Sequence, residues 1–142
     1  MIFVLQASVL EVATRCNVVL SLLPNDAIVT EVSNEMISSN NDSLCHISCS
    51  TVSPQTSRRL EQIFISKGAK FVSAPVFARP DGLAKRQATW MVSGRKDVRE
   101  LAGSILGSYG TVVDYGDDVG AANVVKLCGN FLIAVRIGIA IN

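Results

Sequence analysis

NVVLSLLPNDAIVTEVSNEM, residues 17–36, carries the order of signals that decides the fold. A β-branched, apolar run over 17–23 is stopped by Pro24, which has no N–H to contribute to a ladder. Asn25 and Asp26 can then cap a helix, because a short polar side chain accepts a hydrogen bond from the free amides of a first turn. Ile28, Val29, Val32, Met36 and Ile37 follow at helical spacing, so one helix face is apolar. A strand feeding a helix through a short capped turn is the repeating unit of an α/β domain.

The alternation continues outward on both sides. Ser8 to Arg15 reads as the end of a helix. After the polar loop SSNNDS (38–43) come a strand around Leu44 to Cys49, a turn at Thr51-Val52-Ser53-Pro54, and a helix to about Lys67. Leu60, Ile63 and Phe64 fall on its inner side, and Gly68 closes it. KFVSAPV (70–76) reads as a third strand, followed by a loop with Pro80 and Gly82 and a fourth strand, ATWMVSG (88–94). Residues 96–106 form a helical pattern through Val98, Leu101, Ala102 and Ile105, and TVVDY (111–115) is a fifth strand. Residues 121–141 are a last helix, apolar on nearly every side. The pattern predicts an α/β fold with a largely parallel sheet, followed by a long helix. No linker divides the first 115 residues, so the boundary falls at residues 116–120, before that helix.

A chain of 142 residues is long enough for one domain with a substantial core. Hydrophobic residues make up 49% and charged ones only 18%, so some apolar surface should meet another domain, subunit or segment. Thirteen basic and twelve acidic residues leave a net charge of +1 with no run of like charges. That gives no electrostatic footprint for nucleic acid or an anionic membrane surface, and favours small-molecule or protein partners. The first 16 residues lack the basic start of a secretory signal and reach Glu11 quickly, and residues 131–142 are too short to span a bilayer and contain Arg136. Both read as buried elements, although a helix apolar all round needs cover that this chain has little of. Cys16, Cys45, Cys49 and Cys128 lack the spacing of a disulfide framework, which suggests reduced, buried thiols in an intracellular protein, cytoplasmic by default. Any organellar targeting peptide would precede the present Met1.

Cys45-His46-Ile47-Ser48-Cys49 places two thiols and the only histidine within five residues. On a strand, Cys45 and Cys49 share a face but lie about 13 Å apart, at ~3.3 Å per residue, while His46 points to the other side. One tetrahedral metal cannot span that, and no metal is expected.

GAANVVKLCGN (120–130) sets Lys126 and Asn130 four residues apart, hence on one face of the last helix. A lysine desolvated by an apolar helix has its ammonium pKa lowered towards working pH, the requirement for an acid/base group.

LPNDAIV (23–29), STVSPQTSRRL (50–60), SAPV (73–76), the MVSG turn (91–94) and GAANVVKLCGN occur in the order and at the separations found in the β-hydroxyacid dehydrogenases. The chain resembles that family, which includes 3-hydroxyisobutyrate dehydrogenase, glyoxylate/succinic semialdehyde reductases and, more distantly, 6-phosphogluconate dehydrogenase, over nearly all its length. The resemblance implies an oxidoreductase moving hydride between NAD or NADP and a small 3-hydroxy acid or its aldehyde or ketone form. It also implies a Rossmann-type domain joined by a long helix to a helical domain. Residues 1–117 then correspond to the C-terminal part of the NAD(P)-binding domain, and 118–142 to the start of the interdomain helix. By the same resemblance Lys126 is the catalytic acid/base, and Asn130 orients the substrate. Ser50 lines the crevice, Thr51 approaches the nicotinamide, and Leu23, Pro24 and Asn25 run beside the cofactor.

Two departures stand out. The family follows APV with Ser-Gly-Gly, which holds the substrate carboxylate, whereas this chain reads Val76-Phe77-Ala78-Arg79. Phe77 removes a hydroxyl and adds bulk, Ala78 lacks glycine's freedom at positive φ, and Arg79 can clamp a carboxylate instead. A small carboxylate-bearing substrate is still expected. The second departure is that no G-x-G-x-x-G turn and no ribose-reading acidic or basic residue after it occur in the 142 residues. The reading is therefore of a family member shortened at both ends, with NADH and NADPH undistinguished and little activity in isolation. The alternative is a non-catalytic interaction module or truncated isoform that self-associates or binds a full-length paralogue through its apolar helix.

Overall fold

The structure, a computed structural model, describes residues 8–140, with side chains to residue 136. The opening residues 1–7 and the last two, on which part of the reading of the chain ends falls, lie outside the described residues. The first unit is helix α1 (Val9–Arg15), capped by Ser8 Oγ, and strand β1 (Val18–Ser21). Asn25 Oδ1 accepts the Ile28 N–H and starts α2 (Asp26–Ile37), as its side chain chemistry predicts. Strand β2 (Cys45–Ser48) follows, then α3 (Pro54–Ser66), with Ser53 as N-cap and Pro54 in the first turn. Gly68, at φ 75°, turns the chain out of α3 in a conformation that glycine adopts without strain. Strand β3 (Lys70–Ser73) completes a parallel set in the order β1-β2-β3.

KFVSAPV is not one uninterrupted strand. It divides into β3 and β4 (Val76–Phe77), and β4 pairs antiparallel with β5 (Ala88–Val92). Ser73 bridges Ser93 and Val76 pairs with Trp90 in the same antiparallel register, and Pro75 still accepts the Met91 N–H at 2.9 Å. Pro75 has no N–H to return, and the ladder breaks there. The stretch around Pro80 and Gly82 is not all loop either: Pro80–Ala84 forms a short helix, α4, with Pro80 and Asp81 in the first turn, where each is favourable. Beyond β5 lie α5 (Lys96–Leu106), a single 3-10 turn, β6 (Gly110–Asp114), and the long α6 (Ala121–Ala140). β6 is parallel to β5 and begins one residue earlier than its apolar run suggests. The strands thus form two three-stranded sets, β1-β2-β3 and β4-β5-β6, joined through the Ser73–Ser93 bridge into a mostly parallel arrangement with one antiparallel seam between β3/β4 and β5.

Two cores lie on the two faces. On one, Val29 and Met36 of α2 and Leu60 and Phe64 of α3 meet Phe71 of β3 and Val119 before α6. On the other, Ile47, Val72 and Val92 of the strands meet Val98, Ala102 and Leu106 of α5. The strand alternation sorts the Cys45–Cys49 segment as its period requires. Cys45 and Cys49 join the α5 side, where burial pushes their thiols up to about 11 and about 12. Cys16 and Cys128, by contrast, are exposed, which corrects the expectation that all four thiols are buried. Cys16 lies just past α1 in extended backbone, and Cys128 points outward from α6. Among the described residues no group of His, Cys, Asp and Glu could hold a metal ion, and no helix is long and apolar enough to cross a membrane.

His46 is fully buried on the α3 side, its ring centroid 5.5 Å from that of Phe64 and 5.2 Å from that of Phe71. Its Nε2 lies 2.8 Å from Ser21 Oγ. Burial pulls the imidazole down to about 4, so it is neutral in the native state. The unfolded histidine titrates near 6.5, so between these values the unfolded chain binds the extra proton and stability falls with falling pH. The full shift corresponds to about 3 kcal/mol, lost progressively between pH 6.5 and 4. Urea unfolding across that range should show this slope, and His46→Asn should flatten it; an unchanged slope in the variant would refute the assignment.

The C-terminal run also departs from expectation. Residues 131–136 are exposed rather than buried, with Phe131 and Leu132 at 68% and 66%. Among the described side chains of α6, to residue 136, those of the first turns rest on the domain.

Candidate active site

The start of α6 is pinned from three directions. Ser93, just past β5, donates its hydroxyl to Val119 O at 2.9 Å and accepts the Ala122 N–H at 3.0 Å. Asp118 caps Gly120 N–H and pairs bidentately with Arg58 of α3 at 2.9 and 2.7 Å, which holds its carboxyl below the ordinary range. Asn123, fully buried, accepts the Val52 N–H through Oδ1 and donates through Nδ2 to Ser57 Oγ, both at 3.0 Å. The Ser93 and Asn123 contacts satisfy buried polar groups, and together with the exposed Arg58–Asp118 pair they fix the rotation of the helix. Lys126 follows Asn123 by three residues, so it emerges on the same side.

Lys126 is only 9% exposed, and its Nζ lies 3.6 Å from the centre of the Phe77 ring. Burial lowers its ammonium pKa below the ordinary lysine value. It opens into a cleft of about 570 Å³ that Phe77, Arg79, Asp81, Gln87, Asn130 and Ile133 also line. Four residues singled out in the sequence, Lys126, Asn130, Phe77 and Arg79, therefore share one cavity. An amine of lowered pKa can take or return a proton, an amide can both donate and accept, and a guanidinium can pair with a carboxylate. Ala78 needs no glycine-like freedom: among the described residues the only non-glycines at positive φ are Asn40 and Arg86.

The other named residues form a second group, at the carboxyl ends of β1 and β2. Ser50 is fully buried, and its Oγ accepts the Leu23 N–H at 2.7 Å, so its hydroxyl ties the two strand ends together at a place apart from the Lys126 cleft. Leu23, Pro24 and Asn25 run over the end of β1, with the Asn25 side chain engaged as the α2 cap. Asp26 Oδ1 accepts from both the Ser53 N–H and hydroxyl, at 2.9 and 2.7 Å, joining this turn to the next. Thr51 is half-buried and precedes Val52, the residue tied to Asn123. Two loops clamped side by side beyond the ends of parallel strands make the crevice where open α/β sheets bind ligands. The residues present fit one end of a dinucleotide; the 142 residues contain no Gly-rich turn for its pyrophosphate. Asn123, Ser93 and Asp26 were not evident in the sequence as site-building residues, although Asn123 stands one helical turn before Lys126.

Comparison with known proteins agrees with this architecture. Residues 3–117 match the family described as the NAD binding domain of 6-phosphogluconate dehydrogenase. The mitochondrial 3-hydroxyisobutyrate dehydrogenase of Drosophila melanogaster is 30% identical over 126 residues, covering 88% of this chain and 39% of that protein. Among solved structures, 3-hydroxyisobutyrate dehydrogenase from Mycobacterium tuberculosis with L-serine superposes with a TM-score of 0.85 at 24% identity, over 92% of this chain and 45% of that one. An imine reductase from Myxococcus stipitatus in complex with NADP+ gives 0.87 at 16% identity, over 96% and 48%. At such identities the structures speak for the fold alone, and the chain spans less than half the length of each relative. Given the family match over 3–117 and the mostly parallel sheet that carries it, the chain belongs to the family of the 6-phosphogluconate dehydrogenase NAD-binding domain.

Proposed function

We propose that this chain carries the acid/base and substrate-facing part of an NAD(P)-dependent oxidoreductase acting on a small 3-hydroxy acid or its carbonyl form. The observation that supports it best is a nearly buried lysine of lowered pKa opening beside Asn130 and Arg79 into one cleft. NAD(P), when bound, supplies or accepts the hydride. Lys126 takes the hydroxyl proton in oxidation and returns one to the carbonyl oxygen in reduction, Asn130 holds that oxygen, and Arg79 pairs with the carboxylate. Leu23, Pro24, Asn25 and Thr51 would border the nicotinamide end of either NAD or NADP, and Ser50 would support that border from beneath. Phe77 narrows the substrate side.

The isolated chain should turn over slowly, because these residues offer the pyrophosphate no Gly-rich turn. The reading is tested by joining the chain to the flanking segments of the Drosophila relative. Reduction of glyoxylate and succinic semialdehyde, and oxidation of 3-hydroxyisobutyrate, should then be measurable in the chimera and nearly absent in the chain alone. A chimera that folds and binds cofactor yet reduces or oxidises none of them refutes the reading. A second reading, association with another copy or a full-length paralogue, is favoured by the exposed Leu127, Phe131, Leu132 and Val135 of α6. It expects sedimentation above the monomer that Lys126→Ala leaves unchanged.

A further inference from the structure

The ring of Phe77 lies between two residues of α6. Lys126 Nζ is 3.6 Å from its centroid, and Gly129, three residues further along the same side of the helix, lies against its edge. A methyl built on Gly129 would overlap Phe77 Cζ outright and lie 3.1 Å from Cε2. Glycine is a poor helix former, and this one sits within a twenty-residue helix. Its position is explained by the ring it admits.

We propose that Gly129 and Phe77 act as a socket and cap that position Lys126: the missing side chain at 129 admits the ring, and the ring covers the ammonium and holds Nζ at the cleft wall. Phe77 is thus a positioning residue, acting through two opposed effects. Its π face attracts the cation, and its bulk keeps water from it, which penalises the charge. The charged groups lining the same cleft are Arg79, beyond β4, and Asp81 of α4; Gln87 and Asn130 are polar and uncharged. Burial is the cause of the lowered lysine pKa, so the cap should govern it. What the cap does for turnover rests on the acid/base reading of Lys126; the cap itself does not, and titration reads it without substrate or cofactor.

The test labels the 142-residue chain with [13Cε]lysine, identifies the Lys126 signal with Lys126→Arg, and follows its pH titration by NMR. Phe77→Leu keeps apolar cover but removes the π face, so the lysine pKa should fall by about half a unit to one unit. The upfield ring-current displacement of the Lys126 ε protons should vanish with it. Phe77→Ala admits water and should raise the pKa towards the ordinary lysine range. Gly129→Ala, which expels the ring while leaving it in the chain, should raise it likewise, and carries the comparison if Phe77→Ala does not fold. Identical titrations, an order other than Leu below Phe below Ala, or a Gly129→Ala protein that titrates as the wild type, each overturn the proposal.

Discussion

Lys126→Ala should lower turnover of the chimeric enzyme by about 10²- to 10⁴-fold, the range lost with a positioned general acid or base. Cofactor binding should hardly change, since Lys126 lines the cleft and not the loops at the ends of β1 and β2. Lys126→Arg should be nearly as poor: a guanidinium keeps the charge but cannot be deprotonated. The pH dependence gives an independent sign. Oxidation needs the neutral amine and should rise with pH to a plateau above the lysine's pKa; reduction needs the ammonium and should fall across the same range. Because burial lowers that pKa, the inflection should lie below that of an ordinary lysine. Turnover within a few-fold of the parent in Lys126→Ala would remove the acid/base role.

Phe64→Ala should destabilise the chain by about 3–5 kcal/mol. Phe64 is fully buried on α3, its ring centroid 5.5 Å from those of both His46 and Phe71. A loss of that size is a large part of the roughly 5–15 kcal/mol by which domains are stable. It should appear as a lower urea midpoint at an unchanged slope. Gln62→Ala, two residues away on the exposed side of the same helix, should leave the midpoint within about 0.5 kcal/mol of the parent. Equal midpoints for the two variants would mean that the aromatic cluster does not hold α3 to the sheet.

Much of the architecture was legible because it is written at short range. Asn25 caps α2 by its own chemistry, and Leu60 and Phe64 fall on one face of α3 because i and i+4 must. Strand β1, by contrast, ends at Ser21, short of the stop expected at Pro24, because the Leu23 N–H turns to Ser50 Oγ. The separation of His46 from the two cysteines followed from the period of a strand. The split of KFVSAPV was half legible, since Pro75 announces a missing donor but not that the next strand arrives antiparallel. The exposure of Cys128 was not, because the apolar character of α6 is nearly uniform around its axis and only the docking of its first turns chooses a face.

The candidate site divides in the same way. That Lys126 and Asn130 project together is a property of residues four apart in a helix, and it can be read from the chain alone, as can the family the surrounding residues resemble. That Lys126 is covered by Phe77, that Gly129 makes room for the ring, that Arg79 lines the same cleft, and that Ser50 Oγ accepts the Leu23 N–H follow from the folded arrangement. The reason is range: helix and strand periods are set by backbone geometry over a few residues, whereas Phe77 and Lys126 are brought together by the pairing of β4 with β5 and the pinning of α6 on Ser93 and Asn123.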